Sequence, residues 1–305
     1  MLPIASIVIP TFNRRPILEK CLRSLLVQDC PANHFEVVII DDGSTDGTDR
    51  MVAELALPEH FRYLPQPNQG RSRARNNGIK AARGEIIIFL DSDMVVTPSF
   101  VSAHIAAHQA DPKLVVHGPV IHTTNFADPT SAKKKLSDLS NAFFATANTS
   151  VRKEHLVAVG MFDESFTKYG WEDLELGMRL RQRGLKVAKA PQAVGYHYDE
   201  MIDYSDLTPI IRKERERGEM AVLYYQKQPH WRVRLSTMLH PAFFFLERLL
   251  TIGNWQDHPR VRSFISAKAD RSRLARLAFF FVKNHAYFEG MRAALAALSE
   301  RDNSR

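Results

Sequence analysis

The chain has 305 residues, of which 45% are hydrophobic and 25% charged, and its formal net charge is +7. That length accommodates one large domain or two modest ones, and the composition excludes disordered, collagen-like and disulfide-framework proteins. The charge is uneven: residues 1–200 hold 23 basic and 23 acidic side chains, residues 201–305 hold 18 and 11, so an anionic partner is expected of the last third alone.

The N-terminus enters a strand directly, without a basic stretch followed by a signal-like apolar run. No apolar run approaches the roughly 18 residues that a spanning helix needs, so the expected location is cytoplasmic, at most peripheral on the inner face of the cell membrane. Cys21 sits on a helical pattern and Cys30 just past it, as reduced core thiols would.

In chain order, 5–10 reads as the first strand, and Pro16 opens a helix with Ile17, Leu18, Cys21, Leu22, Leu25 and Leu26 on one stripe. Residues 35–40 form the second strand, ending in the acidic turn Asp41-Asp42-Gly43-Ser44. A short strand at 61–64, a helix through Arg75, Ile79 and Ala82, and a central strand at 86–90 follow. This alternation predicts an α/β fold on a mainly parallel sheet.

Beyond Asp93 the pattern predicts a strand at 114–120, an exposed connection at 127–140 carrying Lys133, Lys134 and Lys135, and a return to the sheet at 145–151. A short helix at 153–159 and a longer one at 172–183, stopped by Gly184, complete a domain of residues 1–204. Residues 205–305 read as helices only, at 212–226, 233–250 and 274–298, with phenylalanines at 243–245 and 279–281. Such stripes are core, or, combined with the basic excess, a helical extension resting on an anionic membrane surface.

The central strand ends in Asp91-Ser92-Asp93. In open parallel sheets ligands collect beyond the carboxyl ends of the strands, and two hard carboxylates there suit a divalent cation, which in turn suits a diphosphate. The bland reading is a polar turn. Among the histidines, His197 follows a predicted last strand, whereas His104, His108, His117 and His122 show no shared ligand spacing.

Five motifs stand in order along the chain: Pro10-Thr11-Phe12-Asn13-Arg14, Asp41-Asp42-Gly43-Ser44, Asn68-Gln69-Gly70 with Ala74-Arg75-Asn76, Asp91-Ser92-Asp93, and Asp163-Glu164 through Trp171-Glu172-Asp173. Together they resemble the family 2 glycosyltransferases, enzymes with the nucleotide-diphosphosugar-binding fold called GT-A. Each alone is common; the ordered set is specific, and it covers roughly residues 4–200. The resemblance implies an inverting transfer from a nucleotide sugar, UDP-linked by expectation, to a glycan, lipid-linked or other hydroxyl acceptor. Pro10, Thr11, Asn13, Asn68 and Gly70 would line the nucleotide, Asp42 would accept from the base edge, Arg75 would stand beside the donor, and Asp91 or Ser92 would face the ribose. Mn²⁺ or Mg²⁺ would be held by Asp93 and His197, with Asp91 adjoining. On the acceptor side, Asp173 would be the base, Glu172 would orient the nucleophile, and Trp171 would offer a flat face to a sugar ring. That segment also resembles the Trp-Gly-Gly-Glu-Asp element of galactosyltransferases, but Tyr169 and Gly170 stand in place of the paired glycines, which leaves the sugar open.

Two other functions fit the layout less well. A sugar nucleotidyltransferase would want a glycine-rich basic loop after the first strand, where this chain has Thr11 to Pro16 without glycine. A non-catalytic scaffold acting through the helical tail would not need Asp93, Glu172 and Asp173. Nucleic acid is not an expected partner, because the aromatics lie in apolar runs rather than among basic residues. A homo-oligomer is left open.

Overall fold

The structure is a computed structural model that describes residues 2–135 and 142–303. It divides into two compact units, Met1–Thr167 with Leu176–Glu200, and Lys168–Glu175 with Met201–Arg305.

The first unit is built on strands β1 (Ala5–Thr11), β2 (Phe35–Asp41), β3 (Phe61–Pro65), β4 (Ile86–Leu90), β6 (Leu114–His117), β8 (Asn148–Arg152) and β9 (Lys186–Lys189). They form one seven-stranded sheet in the order β3-β2-β1-β4-β8-β6-β9. The first four strands are parallel, and β8 runs antiparallel to both β4 and β6. Strand β4 is buried along its whole length, which explains its unbroken apolar run; each such side chain contributes about 1.5–3 kcal/mol by leaving water. A second sheet joins β5 (Met94–Val96), β10 (Gly195–Tyr198) and β7 (Val120–Thr123) in the order β5-β10-β7.

Helices α1 (Arg15–Leu25), α2 (Thr48–Glu54), α3 (Arg71–Ala81), α4 (Phe100–Ala107), α5 (Lys153–Ala158) and α6 (Glu172–Gln182) complete the α/β pattern. Helix α3 lies close on β1: a Cβ at Gly78 would stand 2.3 Å from Val8 Cγ1. The mainly parallel sheet with flanking helices is as expected from the sequence. The single strand expected at 114–120 is instead β6 and β7, in different sheets. The break falls at Gly118-Pro119, where a Cβ on Gly118 would meet Ala193 O at 2.2 Å and proline cannot donate to a ladder. The connection expected at 127–140 contains a short 3₁₀ turn at Pro129–Ser131, with Lys133, Lys134 and Lys135 exposed; its residues 136–140 lie outside the described residues. Both cysteines are buried and free.

The second unit holds α7 (Thr208–Lys227), α8 (Trp231–Ser236), α9 (Pro241–Leu250), α10 (Pro259–Lys268) and α11 (Arg273–Asn303). The helix expected over 233–250 is two helices. Met238 takes a left-handed φ of 56°, and Pro241 opens α9, with His240 Nδ1 accepting from Ala242 N at 3.3 Å as the cap. Helices α7 and α11 cross at two bare backbones. A Cβ on Gly218 would lie 2.0 Å from Tyr287 O, and one on Gly290 would lie 1.9 Å from Arg215 O. Among the described residues no helix is long and apolar enough to cross a membrane.

Candidate functional site

Strand β1 ends at Thr11 and β2 at Asp41, and Asp42 N donates to Thr11 O at 2.9 Å, so the two strand ends are tied together. Thr11 is 3% exposed and its Oγ1 accepts and donates no hydrogen bond, a buried hydroxyl without a partner at the strand end. Pro10 before it is half-buried. Asn13 has a φ of 51° and uses its side chain on the neighbouring turn, where Oδ1 accepts from Thr45 N at 2.7 Å.

Asp42 is more committed than the sequence suggested. Its carboxylate accepts from Gln66 Nε2 at 2.7 Å, Gln69 N at 2.9 Å and Gly70 N at 2.9 Å. It therefore holds the Asn68-Gln69-Gly70 turn in place, and of about four lone-pair sites on a carboxylate one remains for a ligand. Gly43 follows with a φ of +85°, and a Cβ there would come within 2.9 Å of Asn68 N, so the turn requires glycine twice over. Asn68 itself is exposed. Asp41 is internal: it accepts from Ser44 N at 2.9 Å and from the Tyr63 hydroxyl.

Arg75 lies on the buried face of α3, 4% exposed, with its guanidinium 3.2 Å from Asp91 Oδ1. Arg73, one residue pair away on the helix, is instead paired with Glu164 at 2.7 Å, and Glu164 also accepts from Asn76. Asp163 accepts from Ser165 N at 2.9 Å and from Ser165 Oγ at 2.6 Å, so it too is engaged in the local turn.

Asp91 and Ser92 follow β4, and Asp93 immediately precedes β5. Because β5 pairs antiparallel with β10, Met94 stands opposite His197, and Tyr198 N donates to Asp93 O at 2.9 Å. The backbone ladder therefore delivers His197 to Asp93: His197 Nε2 is 3.4 Å from Asp93 Oδ1. Asp93 Oδ1 is buried and accepts no hydrogen bond. Burial first, and Asp91 second, push the Asp93 carboxyl up, while His197 and Arg14 pull it back down. An orphaned carboxylate oxygen facing an imidazole nitrogen, beside a second carboxylate, is the donor set that a divalent cation satisfies, so the residues fit the expected ion.

Three residues at this corner escaped the reading of the sequence. Arg14, part of a quoted motif but given no role, places NH1 3.6 Å from Asp93 Oδ2 and 2.9 Å from Glu200. His122, which shares no ligand spacing with His104, His108 or His117, joins His197 through strand pairing instead. It stands across from His197 on β7, and with Asp199 these side chains bring one ligand atom each within 4.8 Å of one another. The signal existed only as the alternation His197-x-Asp199; its partner strand is 75 residues away in sequence. By contrast His104 and His108 are interior. His104 Nε2 contacts Asn148 Oδ1 and its Nδ1 contacts Ser150 Oγ, both at 2.8 Å, and His108 Nε2 contacts the same hydroxyl at 2.9 Å. Burial is the main cause that lowers each to about 4.

The second unit contains the acidic opening of α6. Trp171 has a φ of 74°, donates Nε1–H to Arg217 O at 3.0 Å and stacks on Tyr224 with ring centroids 5.9 Å apart. Its ring is half-buried, with part of its surface already covered by Tyr224. Glu172 and Glu175 are buried, Asp173 is half-buried, and all three lie in the first turn, where the helix dipole favours negative charge. Burial, then Glu175 and Asp173, push the Tyr224 hydroxyl well above its ordinary range.

The family model described as glycosyl transferase family 2 matches residues 6–162, and the one described as N-terminal domain of galactosyltransferase matches residues 130–202. The chain is 31% identical over 255 residues to the uncharacterised glycosyltransferase YfnE of Bacillus subtilis, covering 64% of this chain and 64% of that relative's length. Among solved structures it resembles a mannosyltransferase of Pyrobaculum calidifontis in complex with GDP-Man and Mn²⁺, with a TM-score of 0.63 at 17% identity over 97% of this chain and 88% of the other. It also resembles GalNAc-T7 with UDP, GalNAc and Mn²⁺, with a TM-score of 0.53 at 16% identity over 66% and 44%. These likenesses show the GT-A fold.

Proposed function

Since the chain belongs to glycosyl transferase family 2, we propose that it transfers a sugar from a nucleotide diphosphate to a hydroxyl acceptor, by single displacement with inversion. The observation that carries this reading is the buried, unpartnered Asp93 Oδ1 set 3.4 Å from His197 Nε2 at the end of the central strand. Asp93 and His197 would hold Mn²⁺ or Mg²⁺, with Asp91 adjoining. A divalent cation there supplies Lewis-acid stabilisation of the departing nucleoside diphosphate. Arg75, buried against Asp91, keeps that carboxylate oriented toward the donor's ribose with Ser92. The Thr11 hydroxyl and the remaining acceptor site of Asp42 serve the nucleotide base, for which UDP is the proposed carrier. One structural neighbour is in complex with GDP-Man and another with UDP, so base preference is a direct subject of experiment.

Asp173 is the proposed base. It would accept the proton of the acceptor hydroxyl as that oxygen attacks, while Glu172 orients the acceptor and Trp171 presents the uncovered part of its ring. The acceptor is a glycan or a lipid-linked glycan. A thermal-shift panel of UDP-, GDP- and other nucleotide sugars, with and without Mn²⁺, tests the donor assignment. The expected result is a UDP-sugar shift that needs Mn²⁺ and disappears in Asp93→Asn. Equal shifts with and without the metal would refute the role given to Asp93.

The helical unit supports a second element of the proposal, attachment to an anionic membrane surface. Phe245 is 66% exposed, and Leu246, Leu249, Leu250 and Ile252 are exposed beside it, with Arg248 in the last turn of α9. An apolar row flanked by basic side chains suits a lipid interface. Co-sedimentation of the full chain with phosphatidylglycerol vesicles, compared with phosphatidylcholine vesicles, checks it; equal and weak pelleting with both would remove this element.

A further inference from the structure

We propose that Asp199 is a positioning residue for His197, fixing its ring so that the lone pair on Nε2 faces Asp93. The inference rests on the reading above that His197 and Asp93 hold a divalent cation. It starts from register. Strand β10 pairs parallel with β7, so His197 lies beside His122, and Asp199 N continues the ladder by donating to Thr123 O at 2.8 Å. Asp199, two residues after His197, returns to the same face of the strand.

On that face the Asp199 carboxylate meets two imidazoles. Its Oδ1 is 2.9 Å from His197 Nδ1, and its Oδ2 is 2.9 Å from His122 Nδ1. An ionised carboxylate only accepts, so each Nδ1 carries its hydrogen and donates. For a neutral His197 this leaves Nε2 bare, and Nε2 is the atom that stands 3.4 Å from the unpartnered Asp93 Oδ1. The second grip, from His122, anchors the carboxylate itself; the two rings are 5.1 Å apart, tilted by 47°. A carboxylate behind a metal-binding imidazole fixes the tautomer and raises the basicity of the ligating nitrogen.

The same three side chains suggest a rival use, a cation held directly by one nitrogen of each imidazole and the carboxylate, whose ligand atoms lie within 4.8 Å of one another. The two 2.9 Å contacts favour positioning, because a cation held through the Nδ1 atoms would have to break both hydrogen bonds.

Binding of Mn²⁺ alone to the full chain is followed by the electron paramagnetic resonance of the free ion; it should be lost in Asp93→Asn, and native affinity in that variant would overturn the inference in favour of the rival cation. Asp199→Ala is expected to weaken Mn²⁺ binding about 10–100-fold, and Asp199→Asn to restore part of it, since the amide oxygen still accepts from Nδ1. Native affinity in Asp199→Ala, with His197→Ala impaired, overturns the inference and leaves the metal assignment standing. Native affinity in His197→Ala sinks the metal assignment instead. Should Asp199→Ala fail to fold, long-range ¹⁵N spectra of the metal-free native chain decide the matter. A neutral His197 protonated on Nδ1 is the expected signature, and protonation on Nε2 with a bare Nδ1 overturns it.

Discussion

The sheet unit keeps Glu36, Asp41, Asp42, Arg75, His104 and His108 inside with polar partners, whereas the helical unit turns Trp231, Phe245, Leu249, Ile252, Leu274 and Phe280 outward. The contrast has a physical origin. Strands that end together offer cross-strand partners and free backbone groups to a buried polar side chain, so charge can be held there at low cost. Amphipathic helices bury one face and leave the other to whatever surrounds them. The second unit buries charge as well, at Glu172, Glu175 and Glu247, but it is the one that leaves a row of large apolar side chains outside.

Asp93→Asn should mark the contrast most strongly. Transfer is expected to fall on the order of a thousandfold, the several kcal/mol of charge stabilisation a metal site supplies, with the melting temperature held or raised. Assay of sugar transfer alongside thermal melting checks both halves, and a variant that unfolds would erase the distinction between chemical and structural charge in this unit.

Interior histidines give the next effect. Their folded-state affinity for protons lies at about 4, below the ordinary 6.5, so the unfolded chain binds protons first on acidification. Stability from His104 is thus complete above pH 6.5 and lost as pH falls toward 4, amounting to on the order of 3 kcal/mol. Urea unfolding at pH 7, 5.5 and 4.5 should show this decline, and His104→Gln should flatten it. A native slope in that variant would place the pH sensitivity elsewhere.

In the helical unit the corresponding weak point is backbone contact. Gly290→Ala should destabilise by about 2 kcal/mol despite alanine's better helix propensity, because its Cβ would overlap Arg215 O. Calorimetry of the full chain measures it; a stabilised variant would mean that α7 and α11 can separate at little cost. The smallest effect is expected at the surface. Replacing Phe245 and Leu249 with serine should leave melting within about 0.5 kcal/mol of native and reduce pelleting with anionic vesicles severalfold. Undiminished pelleting would show that the exposed apolar row is not what meets the lipid.

The legible parts of the molecule share one property, locality. The apolar run of β4 and the acids directly after it stand within eight residues, so strand, strand end and carboxylates could be read together, and Arg75 fell on a helix face that periodicity defines. The cluster of His122, Asp199 and His197 depends on the pairing of β7 with β10, which no local pattern encodes. Asp42 was expected to accept from a nucleotide base edge, whereas its grip on Gln66, Gln69 and Gly70 follows from the placement of β3. In the helical unit, Pro241 carried its own signal for a new helix start, outweighed by the apolar periodicity on both sides of it. Gly218 and Gly290 read as weak spots in helices until the opposite backbone is seen.

The residues that stack on Trp171 have a practical consequence for anyone shortening this chain. Arg217 and Tyr224 come from α7, and both touch the ring that immediately precedes the acidic turn. Cutting the polypeptide after the last sheet strand would strip that indole of its support and leave 168–175 without the unit it folds with. What reads in one dimension as a detachable tail is, at Trp171, the scaffold of the proposed acceptor side.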